Sequence, residues 1–125
     1  MRAVPDTCAF IEFFEGSERG KIVRRHLKES EIILCPICIY EIIYVLGRSH
    51  SKRVAEEFTR GLLAHYRVVP IDEEIAAKGA QIRMSHDMPM GDSLIYATAR
   101  HHGAKVISGC THFLRLRKEK DVIII

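Results

Sequence analysis

Short apolar runs alternate along the chain with longer segments whose apolar positions recur every three or four residues. The short runs are built of consecutive Val, Ile and Leu residues, which is typical of strands that are covered on both faces. They predict five strands, at residues 3–4, 31–34, 67–71, 105–108 and 122–125. The longer segments predict seven helices, at residues 7–15, 17–29, 36–46, 51–65, 73–86, 91–102 and 111–117.

Capping residues mark several of these boundaries. Asp6 or Thr7 is suited to cap the first helix, and Gly103 is suited to end the sixth. The order β-α-α-β-α-α-β-α-α-β-α-β predicts an α/β fold, a three-layer α/β/α sandwich around a mostly parallel sheet of four or five strands. No repeat or flexible linker interrupts the pattern, so residues 1–125 are expected to form a single domain.

Composition narrows the class of protein. Apolar residues make up 47% and charged residues 28% of the chain, which is ordinary for a globular protein. No apolar run approaches the roughly 18 residues that span a bilayer. Four cysteines in 125 residues are too few for a secreted disulfide framework, so we expect a cytoplasmic protein. A formal charge of +3 permits a polyanionic partner without indicating one.

Three acids stand where a site is expected. Asp6 directly follows the first strand, and Asp92 begins the sixth helix, although helix capping alone would explain an acid at either place. Glu41 lies on an apolar helical stripe, where an unpaired carboxylate costs several kcal/mol. Ligands of parallel α/β sheets bind outside the carboxyl ends of the strands. A cation would offset the charge of all three acids, and oxygen ligands favour Mg²⁺ or Mn²⁺.

Four segments together resemble the PIN domain, the nuclease domain of VapBC-type toxins. They are residues 4–7 (VPDT), 37–42 (ICIYEI), 91–99 (GDSLIYATA) and 106–113 (VISGCTHF). The third is similar to the family's Asp-Ala-Leu-Ile-Ala-x-x-Ala segment, and the fourth to its apolar strand followed by Thr-x-Asp and Phe. The resemblance extends over essentially the whole chain and implies a PIN-like fold.

The resemblance also implies a function, that of a metal-dependent ribonuclease acting on single-stranded or structured RNA. Asp6, Glu41 and Asp92 would be the catalytic residues and would hold one or two Mg²⁺ or Mn²⁺ ions. Thr7 would support the first helix, and Ser108 would fix a water or a phosphate oxygen. Implied partners are RNA, a second copy in a homodimer and, for the toxin branch, a small antitoxin that blocks the site.

The sequence departs from the family pattern at its fourth acid. Cys110 occupies that acid's position, and Ser108 replaces the preceding Thr. A thiol is a poor ligand for a hard ion. Three outcomes are open. One tightly held ion supports slow, Mn²⁺-favouring cleavage, or Asp87 supplies the missing ligand, although helix geometry disfavours it. The third outcome is a degenerate PIN domain that binds RNA or a protein without cutting.

Two further alternatives rest on cysteines. Cys35 and Cys38 form a Cys-x-x-Cys motif at a strand-to-helix junction, as in dithiol redox proteins, but small core residues also explain them. A zinc site from this pair with Cys110 and His112 is conceivable. Candidate RNA-phosphate contacts, which a solvated surface would equally explain, are Lys52, Arg53, Arg115, Arg117, Lys118 and Lys120.

Overall fold

The computed structural model describes residues 1–125, which form five strands and seven helices. The strands are β1 (Arg2–Pro5), β2 (Glu31–Leu34), β3 (Arg67–Val68), β4 (Lys105–Ser108) and β5 (Val122–Ile124). The helices are α1 (Thr7–Glu15), α2 (Glu18–Glu29), α3 (Pro36–Ser49), α4 (Lys52–His65), α5 (Glu73–His86), α6 (Met90–His101) and α7 (Thr111–Leu114). None of the helices is both long and apolar enough to cross a bilayer.

All five strands are parallel, in the order β3-β2-β1-β4-β5. The chain therefore moves to one side of β1 through β2 and β3, and to the other side through β4 and β5. Because crossovers between parallel strands are right-handed, these two directions place helices on opposite faces of the sheet. The predicted α/β/α sandwich is confirmed, with five strands. The gap between the carboxyl ends of β1 and β4 is the topological switch point.

The core confirms that both faces of the sheet are covered. In β1, β2 and β4 the first residue is exposed and the next three are buried. Helix α6 is buried on nearly all sides, because five consecutive residues from Ile95 to Ala99 are inaccessible. This central helix points its amino-terminal turn, and with it Asp92, towards the switch point.

Several predicted boundaries are wrong, each for a local reason. Strand β3 stops at Val68, because Pro70 cannot donate a ladder hydrogen bond. Helix α3 continues to Ser49 through exposed residues that carry no apolar periodicity. Helix α7 ends at Leu114 and gives way to turns. Asp6, and not Thr7, caps α1, since its Oδ1 accepts the Ala9 N–H at 2.8 Å.

Candidate active site

A cleft of about 300 Å³ opens at the switch point. It is bounded by the ends of β1 and β4, the first turns of α6 and α7, and the middle of α3. The lining residues are Asp6, Thr7, Cys8, Glu41, Val45, Pro89, Gly91, Asp92, Cys110 and His112. The fold thus brings the three acids singled out in the sequence into one cleft, although they are 35 and 51 positions apart along the chain.

Asp6 is almost completely buried and has only neutral hydrogen-bond donors. Its Oδ1 accepts the Ala9 N–H, and its Oδ2 accepts the Ser108 hydroxyl, whose oxygen in turn accepts the Cys110 N–H at 3.0 Å. Burial raises the pKa of Asp6 to about 6, and the charge of Asp92 acts in the same direction while the hydrogen bonds oppose it. Asp6 is therefore a buried acid without a cationic side-chain partner.

Glu41 reaches the cleft from the side of α3. Its Oε1 accepts the Thr7 hydroxyl at 2.6 Å, which fixes the carboxylate, and it makes no ion pair. A Cβ added at Gly91 would lie 3.4 Å from Glu41 Oε2, tighter than ordinary contact. Glycine at position 91 thus allows the first turn of α6 to approach Glu41 closely.

Asp92 lies in the first turn of α6 but does not cap it, because Pro89 is the N-cap and makes no side-chain cap bond. Its Oδ2 lies 2.9 Å from His112 Nδ1 and 3.9 Å from Cys110 Sγ. Burial raises the pKa of Asp92, while the neighbouring His112 lowers it and Glu41 raises it. Helix capping thus accounts for Asp6 in part but not for Asp92.

A hard divalent ion fits this donor set in part. Three carboxylates face one cleft, and no lysine or arginine side chain forms an ion pair with any of them. Oxygen ligands suit Mg²⁺ or Mn²⁺, and the basic side chain among the lining residues is that of His112, beside Asp92. The position of the family's fourth acid, however, carries the thiol of Cys110. Burial raises the pKa of this thiol. The three acids therefore line one cleft, but their carboxylate oxygens do not all lie within 4.8 Å of one another.

The Cys35 and Cys38 alternatives do not fit the structure. Both side chains are buried, and burial raises the pKa of both thiols, the reverse of what a reactive dithiol needs. Cys38 Sγ donates to the Pro5 carbonyl, and neither thiol joins Cys110 and His112 in a metal-ligand cluster. The zinc alternative from these four residues is therefore not supported, and the two cysteines are core residues.

The predicted RNA-contacting residues lie in different places. Lys52 and Arg53 form ion pairs with Glu56 and Glu57 along the exposed face of α4. Arg115 donates to the carbonyl of Asp87, close to the start of α6, and Arg117 donates to the carbonyl of Leu114.

Lys118 and Lys120 share a groove with Lys105, the first residue of β4. This groove is at the amino-terminal edge of the sheet, opposite the cleft. The two lysines are therefore not positioned to contact a phosphate that is bound near Asp6.

Two cleft neighbours were not predicted from the sequence. Cys8 lines the cleft two residues after Asp6, and the rule that sites follow strands could have included it. Arg19 Nη2 donates to the Gly109 carbonyl at 2.6 Å and so places a cation beside the end of β4. No local signal marks Arg19, because only the tertiary fold brings the start of α2 to this point.

Comparison with known proteins agrees with the fold. A toxin–antitoxin complex from Klebsiella pneumoniae superposes with a TM-score of 0.77 at 21% identity, over 97% of this chain and 95% of its own. FitAcB from Neisseria gonorrhoeae gives 0.72 at 24% identity, over 98% and 96%. Mycobacterium tuberculosis VapC20, a sarcin–ricin loop cleaving toxin, gives 0.70 at 16% identity, over 83% and 86%.

Sequence comparison identifies the family. A search of curated proteins found no significant match. The family profile described as the PIN domain matches residues 3–119, nearly the whole chain. The chain therefore belongs to the PIN domain family.

Proposed function

We propose that this protein is a divalent-metal-dependent ribonuclease that cuts single-stranded or structured RNA, with Asp6, Glu41 and Asp92 as the metal ligands. The observation that carries the proposal is the meeting of these three carboxylates in one cleft without a lysine or arginine partner. Asp6 is also buried without a charged partner, and such a carboxylate destabilises a fold unless a cation offsets its charge. A bound Mg²⁺ or Mn²⁺ would supply an activated water and stabilise the charge that develops on the scissile phosphate.

The chain's own residues orient the ligands. Thr7 holds Glu41, while Ala9 and Ser108 hold the two oxygens of Asp6. Because the Ser108 oxygen accepts the Cys110 N–H, its own hydrogen points at Asp6. Ser108 is thus a positioning residue for Asp6, and this replaces the expectation that its hydroxyl binds a water or a phosphate.

We also propose an antitoxin partner and a homodimer. Solved neighbours include a toxin–antitoxin complex and a toxin that cleaves the sarcin–ricin loop. Helix α3 exposes Tyr40, Ile43 and Tyr44 on the helix that carries Glu41, and large exposed apolar groups are typical of contact surfaces. Light scattering on the wild type and on the Tyr40→Lys, Tyr44→Lys double variant would measure the dimer. A monomeric mass for both proteins would remove that part of the proposal.

The alternative is a degenerate PIN domain that binds RNA or protein without cutting. One observation favours it: Cys110 occupies the fourth-ligand position, and the nearby His112 already contacts Asp92 at 2.9 Å. A three-acid site is expected to hold a second hard ion weakly.

A cleavage assay separates the two functions. We expect slow cleavage of RNA that is faster with Mn²⁺ than with Mg²⁺, and that is abolished in Asp92→Asn. Asp87→Asn is the matched control, because Asp87 is an exposed acid five residues earlier that does not line the cleft. If the wild type leaves varied RNAs intact with both ions while Cys110→Asp cuts them, the degenerate function is correct.

A further inference from the structure

We infer that the cleft binds a zinc-class ion through Cys110 Sγ, His112 Nδ1 and Asp92 Oδ2, with Cys8 Sγ as the fourth ligand. The inference builds on the proposed function, since it assigns an ion to the position of the missing fourth acid. Its test measures binding alone. The site differs from the Mg²⁺ or Mn²⁺ site in its donor atoms and shares only Asp92 with it.

The geometry of three donor atoms carries the inference. Cys110 Sγ lies 3.2 Å from His112 Nδ1, His112 Nδ1 lies 2.9 Å from Asp92 Oδ2, and Asp92 Oδ2 lies 3.9 Å from Cys110 Sγ. A tetrahedral zinc ion with bonds of about 2.0–2.3 Å separates its ligand atoms by roughly 3.3–3.8 Å. The three atoms therefore already approximate one face of a zinc tetrahedron, within a few tenths of an ångström.

The second contribution comes from the N-cap and first turn of α1, which follow β1 on the other side of the cleft. Asp6, Cys8 and Cys110 also have ligand atoms that all lie within 4.8 Å of one another, so the two clusters meet at Cys110 Sγ. Asp6 is a ligand of the Mg²⁺ or Mn²⁺ site proposed above, which leaves Cys8 as the remaining donor of this cluster. Cys8 is not grouped with Asp92 and His112 within 4.8 Å, so its side chain would rotate towards the ion to complete the tetrahedron.

The donor chemistry selects the class of ion. Two sulfurs, one imidazole nitrogen and one carboxylate oxygen are a set that zinc binds and that Mg²⁺ avoids. The His112 side chain is 47% exposed, which leaves an entry path from solvent. Replacement of the family's acid by Cys110 thus changes the metal preference at this position from hard to borderline ions.

The simpler explanation is that His112 forms an ion pair with Asp92 and binds no metal. A second rival is adventitious binding at Asp72, Glu74 and His101, a surface cluster that also gathers three ligand atoms but contains no sulfur. The experiment must therefore detect sulfur ligation directly and must localise it.

Cobalt(II) is a suitable probe, because thiolate ligation gives a sulfur-to-cobalt charge-transfer band and tetrahedral geometry intensifies the visible bands. Reduced full-length protein is titrated with Co²⁺, and Zn²⁺ then displaces it. We expect one ion per chain, with Zn²⁺ bound at least about 100-fold more tightly than Mg²⁺. Cys110→Ser and His112→Ala should each lower Zn²⁺ affinity by more than roughly tenfold to a hundredfold. Cys8→Ser should lower the intensity of the charge-transfer band.

Matched variants localise the ion. His101→Ala removes the histidine of the surface cluster, and Cys35→Ala removes a cysteine outside the cleft, so both should leave the cobalt spectrum unchanged. Loss of binding in His101→Ala, or unchanged affinity in Cys110→Ser and His112→Ala, would overturn the inference. An unchanged charge-transfer band in Cys8→Ser would overturn the assignment of the fourth ligand.

Glu41→Gln separates this inference from the proposed function. Glu41 is absent from both sulfur-containing clusters, so the variant should keep the cobalt spectrum while RNA cleavage is lost. Wild-type protein that cuts RNA with Mn²⁺ but binds no Zn²⁺ would refute the zinc site alone. Protein that shows the cobalt spectrum but cuts no RNA would refute the ribonuclease proposal alone.

Discussion

Asp6 and Asp121 lie at opposite edges of the same sheet and meet opposite surroundings. Asp121 precedes β5 at the amino-terminal edge, where its Oδ1 accepts the Tyr96 hydroxyl at 2.7 Å and its Oδ2 accepts Arg100 Nε at 3.1 Å. The Arg100 guanidinium also lies 4.3 Å from the centre of the Tyr96 ring. Asp6, at the carboxyl edge, is more deeply buried, forms no ion pair and accepts hydrogen bonds only from neutral groups.

The two residues show how an acid that stabilises the fold differs from an acid that is available to bind a ligand. At Asp121 the chain supplies its own cation, Arg100. The carboxylate therefore connects the start of β5 to α6, and its negative charge is already balanced. At Asp6 the chain supplies only neutral donors, and burial raises the pKa to about 6. A fold that retains an uncompensated buried acid is typical of a functional site, because only a ligand then offsets the charge.

The largest expected difference between the two edges of the sheet is in the rate of RNA cleavage when Asp6 or Asp121 is replaced. Asp6→Asn should lower Mn²⁺-dependent RNA cleavage by roughly 10²–10³-fold or more, because it removes a charged ligand while keeping the side-chain shape. Asp121→Asn should leave cleavage within about threefold, because Asp121 lies away from the cleft. Gel analysis of single-turnover cleavage measures both. Equal losses in the two variants would break the distinction between the edges.

Stability should respond in the opposite direction. The rise of the Asp6 pKa from 3.8 to about 6 corresponds to an upper limit of about 3 kcal/mol of destabilisation in the ionised form. Without metal, Asp6→Asn should therefore raise the free energy of unfolding at pH 8 by about 1–3 kcal/mol. Urea denaturation in the presence of a chelator measures it. A lower stability than that of the wild type would show that Asp6 is a structural acid.

The pH dependence sharpens the same point. Between pH 3.8 and about 6 the folded state binds more protons at Asp6 than the unfolded state does. The stability that the neutral carboxyl provides is therefore lost as pH rises through this window. The gain from Asp6→Asn should vanish near pH 4 and reach its full value above pH 7. A pH-independent gain would point to a cause other than ionisation.

Much of this contrast was accessible from the sequence. Asp6 was found because it follows an apolar strand, and Glu41 because its helical neighbours are apolar. The ion pair of Asp121 with Arg100 was not predicted, since nothing local marks two charges 21 positions apart as partners.

The placement of Lys118 was missed for a related reason. Because β5 is parallel to β4, the segment after α7 must run back to the amino-terminal edge, and it takes Lys118 away from the cleft. Lys118 is close in sequence to the Cys110 segment, which suggested that it lies near the cleft. The direction of β5 places it at the opposite edge of the sheet instead. The same holds for two pairs of side chains in the cleft. Cys8 meets Cys110, and His112 meets Asp92, only once the strands have assembled into the sheet.

At the structural edge, Tyr96→Phe tests the Asp121 network. The variant removes a hydroxyl that donates to Asp121 and accepts from Arg100 at 2.7 Å, but keeps the buried ring. We expect the free energy of unfolding to fall by about 1–3 kcal/mol, because the hydroxyl makes two hydrogen bonds and both partners are charged groups. Calorimetric Mn²⁺ affinity should stay at the wild-type value. Weaker Mn²⁺ binding would mean that the two edges are coupled.

The smallest expected effect concerns RNA contacts at the two edges. In an Asp92→Asn background, which prevents cleavage, Arg19→Ala should weaken RNA binding a few-fold and lower the slope of log affinity against log salt by roughly 0.7, the contribution of one phosphate contact on a single strand. Arg19 is the cation that bonds Gly109 beside the cleft, whereas Lys118 lies with Lys105 at the opposite edge. Lys118→Ala should therefore change neither affinity nor slope. If Lys118→Ala has the larger effect, the RNA runs along the amino-terminal edge, and the cleft at Asp6 does not determine where RNA binds.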